Sequence, residues 1–105
     1  MSDAEQTINS ANAARGASGQ LHLAAGETVA LRMWRDEEPA VAKAATVRPY
    51  ETVGYVLSGR AELHLGEIVI PLEPGDSWVV PKDVSHTYRI LETFSALEAT
   101  SPPAP

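Results

Sequence analysis

The sequence predicts an all-β fold. Short runs rich in apolar and β-branched residues, turn chemistry every several residues and the absence of any long helical periodicity in the middle of the chain point to it. The turn signals are Ala25-Gly26, Glu38-Pro39, Ser58-Gly59, Leu65-Gly66, Pro74-Gly75-Asp76 and Pro81-Lys82-Asp83. Such punctuation marks an antiparallel sandwich or barrel.

Taken in order, Ser2 to Gly19 is polar and small, and is expected as a flexible arm with a short helical turn around Ala4 to Ala14. A first strand starts near Gln20 to Leu23. Strands follow over Thr28 to Arg35, Val41 to Val47, Thr52 to Leu57, Arg60 to Leu65, Ile68 to Leu72, Ser77 to Val80, His86 to Ile90 and Phe94 to Ala99. Arg60 to Leu65 alternates strictly, with Ala61, Leu63 and Leu65 on one face and Arg60, Glu62 and His64 on the other, the pattern of a half-buried strand. Ser101-Pro-Pro-Ala-Pro105 can neither donate to a ladder nor continue a helix and reads as a tail. The expected organisation is an arm over 1–19, one β domain over 20–99 and a Pro-rich tail over 100–105.

Composition narrows the partners. The 105 residues fit one small domain, and the formal net charge of −6, with eight scattered Lys and Arg, lacks the basic stripe that nucleic acid requires. There is no cysteine, hence no disulfide framework, thiolate metal site or thiol nucleophile. Met1-Ser-Asp-Ala-Glu-Gln has neither a basic nor an apolar signal region, and no apolar run reaches bilayer-spanning length. A cytoplasmic protein with no nucleic-acid or membrane partner is expected.

Two segments carry a family resemblance: Arg48-Pro-Tyr-Glu-Thr-Val-Gly-Tyr-Val-Leu-Ser-Gly59 and Gly75-Asp-Ser-Trp-Val-Val-Pro-Lys-Asp-Val-Ser-His86. They resemble the two motifs of the cupins, which implies a single-domain antiparallel cupin barrel of jelly-roll type. Gly59 aligns with the glycine that closes the first motif, and Gly75, Pro81 and His86 with the second. On that alignment Thr46 and Arg48 stand at the two histidine positions of the first motif and Thr52 at its acidic position. Asp83 and Ile90 replace the second glycine and the asparagine of the second motif. Metal-binding cupins gather imidazoles and a carboxylate or amide on one ion. Here the resemblance supplies one imidazole, two threonines and a guanidinium that has no lone pair to give. Glu51 could add a carboxylate if a bulge turned it inward, since strand alternation points it away from the face of residue 52.

No metal or other cofactor is therefore expected, with a weakly bound divalent transition metal as the alternative. Thr46 and Arg48, two apart, share one face, and with Thr52, Tyr88 and Glu51 they are the candidate ligand-binding residues for a small, anionic organic molecule. His86 is the candidate catalytic residue, able to shuttle a proton in isomerase- or lyase-type chemistry. Against this stand bland readings: Arg48 paired with Glu51, His86 a satisfied barrel histidine, and Trp34, Trp78, Tyr50 and Tyr55 core or interface aromatics. The function classes are a metal-independent small-molecule binder, a metal-dependent oxygenase or isomerase using His86 and Glu51, and an interaction module with a vestigial site. The resemblance also implies a homodimer, the commonest symmetric assembly.

Overall fold

A computed structural model describes residues 6–105. The chain folds as an all-β protein of six strands: β1 (Leu21–Ala25), β2 (Ala30–Glu37), β3 (Glu51–Leu65), β4 (Ile68–Leu72), β5 (Ser77–Val80) and β6 (His86–Ser101). Every pairing is antiparallel, in the order β1-β2-β6-β3-β4, with β5 also on β3. No helix among the described residues is long and apolar enough to cross a membrane.

Four of the expected strands merge into two. Thr52 to Leu57 and Arg60 to Leu65 are one strand, β3, and His86 to Ile90 and Phe94 to Ala99 are one strand, β6. The reason lies at Gly59, expected to close a turn. It instead sits in a run of register shifts between Val56 and Ala61, with φ at 82°. A Cβ there would run into the backbone of Thr93 and Phe94. Glycine thus lets the strand bulge and bend without stopping. The bend also divides the far edge of β3: Thr52 to Tyr55 pair with β5, and Ala61 to Leu65 pair with β4.

Val41 to Val47, expected as a strand, is irregular. It touches the start of β6 only through isolated bridges at Ala40–Ile90 and Thr46–His86. Between those bridges it has two more residues than the stretch of β6 beside it, so no continuous ladder can register and the segment bows outward. Nothing holds it from within either, since Val41 is 80% exposed.

The described residues before β1 and after β6 are tied to the barrel. Residues 1–5, which include the start of the expected arm and helical turn, lie outside the described residues. A single 3-10 turn spans Ser10–Asn12, capped by the Asn9 side chain, which accepts from Ala11 N. Arg15 bridges Leu21, and Gln20, buried, donates through Nε2 to Pro105 O at 3.3 Å. Strand β6 runs through Ser101, opposite Glu51, and Ala104 N donates to Thr100 Oγ1 at 2.9 Å.

Alternation along β3 sends Thr52, Gly54, Val56, Ala61 and Leu63 inward. They meet Leu72, Trp78, Val80, Phe94 and Ala96 in the core. Leu65, Ile70, Tyr88 and Ile90, partly buried, pack against that core.

Candidate functional site

A cavity of about 600 Å³ opens between the sheet and the bowed segment over residues 40–46. Its rim is exposed and carries Lys43, Ala44, Thr46 and Arg48, with His86 and Glu38 close by. Its wall carries Arg32, Trp34, Tyr50, Trp78, Tyr88, Phe94 and Glu98.

The wall is organised by one row across the sheet. Arg32 pairs with Glu98, Glu98 with Gly54, and Gly54 with Trp78. Residues directly opposite share a face, so all four present their Cα–Cβ direction, or its vacancy, to the interior. Gly54 is the vacancy: a Cβ there would overlap the Trp78 ring, which lies across it. Glu98 is 2% exposed. Its Oε1 accepts from Arg32 Nε at 2.8 Å and from Trp34 Nε1 at 2.7 Å. A carboxylate this deep needs both the countercharge and the N–H. The Arg32 guanidinium carbon in turn lies 5.5 Å from the Trp34 ring centre and 5.6 Å from that of Tyr50. Burial works against the Arg32 charge, but Glu98 and then Tyr50 more than offset it, and its pKa lies above the ordinary value.

Toward the rim, Trp78 Nε1 donates to the Tyr88 hydroxyl at 3.2 Å, and the two rings meet edge-on at 6.3 Å. Burial, followed by the negative charge of Glu98, pushes the Tyr88 phenol well above its ordinary pKa. His86 packs edge-on to Tyr88 at 5.9 Å. Its Nδ1 lies 3.0 Å from Val84 O. A carbonyl can only accept, so Nδ1 carries the proton and the neutral ring keeps its lone pair on Nε2.

Of the residues singled out from sequence, the fold brings Thr46, Arg48, His86 and Tyr88 to the cavity. Thr52 is buried between Val80 and Thr100 and does not line it. Glu51 is exposed at the start of β3, opposite Ser101, and is likewise outside the lining. The Arg48 carbonyl accepts from Asp83 N at 2.9 Å, while its guanidinium makes no ion pair among the described residues, with Glu51 or any other acid. Sequence reasoning missed Arg32 and Glu98. Each falls on the face of an apolar neighbour two residues away, Trp34 for Arg32 and Ala96 for Glu98, but which charges pair is set by the register of β2 on β6.

Of the possible metal donors, His86, Glu37 and Glu38 line the cavity, Glu98 is already engaged by Arg32 and Trp34, and Thr52 and Glu51 stand outside the lining. Among the described residues no group of three or more His, Cys, Asp or Glu comes close enough together to bind a metal ion.

An all-antiparallel barrel with a side-chain-lined cavity at one end defines a small single-domain cupin. The family model described as "Cupin domain" matches residues 33–99, and the chain belongs to that family. No curated protein matches it. Among solved structures, an RmlC-like cupin from Shewanella frigidimarina NCIMB 400 superposes with a TM-score of 0.81 at 18% identity, over 93% of this chain and 91% of that one. KdgF from Halomonas sp. does so with a TM-score of 0.74 at 22% identity, over 91% and 93%. An uncharacterized protein with a double-stranded β-helix domain from Klebsiella pneumoniae gives 0.70 at 20% identity, over 90% and 88%. At these identities the likeness is one of fold.

Proposed function

We propose that the protein binds a small organic anion in the cavity, with Arg48 as its receptor and Thr46 and His86 beside it. The observation that carries this reading is the Arg48 guanidinium: it lines the cavity, is a rigid two-pronged donor and has no ion-pair partner among the described residues. Lys43 adds a second positive charge to the lining, which also holds Glu37 and Glu38. The other cation of the cavity, Arg32, is neutralised by Glu98. His86, with its lone pair on Nε2, is the rim group suited to proton transfer, so any chemistry on the bound anion runs through it.

Thermal unfolding against carboxylates and phosphates tests the reading, because a ligand of the native state alone stabilises it by about 2.7 kcal/mol at a hundredfold excess over Kd. A rise in midpoint for wild type that Arg48→Ala abolishes supports it. No rise with any anion, together with unchanged behaviour of Arg48→Ala, leaves the cavity without a ligand and favours an interaction module.

A further inference from the structure

Aromatic residues are scarce in this chain, two Trp, three Tyr and one Phe, yet all but Tyr55 line the one cavity. The two indole N–H groups are already engaged. Trp34 Nε1 donates to Glu98, Trp78 Nε1 donates to Tyr88, and Glu98 Oε1 already accepts two N–H groups. What the aromatic part of the wall turns to a ligand is therefore largely ring surface, supplemented by Ile90 and Ala61, whereas Ser18, Gln20, Thr46 and Thr87 are polar parts of the lining. Against that ring surface a polyhydroxylated molecule would lose water from its hydroxyls without gaining partners. A flat apolar body would not, and it gains ring contact on several sides. The charges that do not belong to the Arg32–Glu98 pair are Arg48 and Lys43, with Glu37 and Glu38 in the same lining, and positive recognition falls to Arg48 and Lys43.

Resting on the anion-binding reading, we infer that the ligand is an aromatic monocarboxylate, its one- or two-ring body against Trp34, Tyr50, Trp78 and Phe94 and its carboxylate on Arg48. The cavity volume, about 600 Å³, lies in the range of small-molecule sites and admits such a body. A single carboxylate is matched to a rim whose guanidinium offers one fork.

Both tryptophans line the cavity, so intrinsic emission reports on its occupancy without a label. Phenylacetate, its neutral counterpart 2-phenylethanol, galacturonate and inorganic phosphate are titrated into the full chain, with calorimetry as the second readout. The expected result is saturable quenching by phenylacetate, with 2-phenylethanol weaker by about tenfold or more, the worth of one charge-assisted hydrogen bond. Arg48→Ala should remove that difference. Trp34→Leu should weaken phenylacetate. Because Trp34 also supports Glu98, Ala44→Leu, an enlargement on the exposed rim, provides a variant whose fold is not at stake. Binding of galacturonate or phosphate in an Arg48-dependent way without binding of phenylacetate would overturn the aromatic assignment and leave the anion reading standing. Equal binding of phenylacetate and 2-phenylethanol, unaffected by Arg48→Ala, would overturn the carboxylate on Arg48 and with it both readings. Binding by none of the four would also overturn both.

Discussion

Glu98 and Arg32 show how much of the interior depends on two atoms. With the carboxylate 2% exposed and the guanidinium side chain 14% exposed, removing one charge strands the other in low dielectric. Glu98→Gln should lower stability by about 3 kcal/mol or more in urea unfolding, and Arg32→Met combined with it should recover most of the loss. Tyr88 makes a second prediction, in alkali. Its folded pKa is raised by burial and by Glu98, so the native state keeps the phenolic proton after the unfolded chain has lost it. The contribution is complete below the ordinary tyrosine value of about 10 and is lost as pH climbs above it toward the folded value. Stability of the wild type should fall over that range, and Tyr88→Phe should flatten its share of the fall. At this scale the sequence was half legible. Motif spacing singles out Arg48 and His86, and the fold brings both to the cavity. It does not single out Arg32 and Glu98, because a buried ion pair is made by register between β2 and β6, which no local pattern contains.

Among the elements, β3 ties the sheet together, pairing with β4, β5 and β6. Its Gly59 bulge lets a single strand of 15 residues face β5 with one half and β4 with the other. Gly66 provides a control: it too has a positive φ, but a Cβ there meets nothing within 4 Å. Gly66→Ala should cost about 1 kcal/mol of backbone strain, while Gly59→Ala should cost about 3 kcal/mol or more, because the obstruction is the backbone of β6. Denaturant midpoints of the two variants read the difference. The strands themselves could be read from alternation and turn residues. Their continuity through Gly59 could not, since a glycine that bends a strand and one that ends it look alike in sequence. The irregular path of Val41 to Val47 was equally hidden: its apolar residues have strand-like propensity, and only the two-residue excess over β6 forbids the ladder.

For the whole molecule, the sheet leaves one outer face apolar. Leu31, Ala99, Val53 and Val79 form a cross-strand row, followed by Leu97 and Tyr55 in the next, and neither row has a charged residue. Val53 and Val79 are each about half exposed, at 50% and 51%. Copies carrying a net charge of −6 repel one another, so a homodimer is expected to meet over these uncharged rows. Sedimentation should then give a dimer for wild type and a monomer for Val53→Asp, with the cavity aromatics unaltered in near-ultraviolet circular dichroism.

The long ladder between β3 and β6 has a consequence for how the chain assembles. Leu65 and His86, at one end, are 21 positions apart, whereas Glu51 and Ser101, at the other, are 50 apart. Closing the shorter loop costs about 0.8 kcal/mol less in chain entropy. Zipping is therefore cheapest from the end that holds His86, which seats His86 on the sheet before Glu98 reaches Arg32 to complete the wall of the cavity.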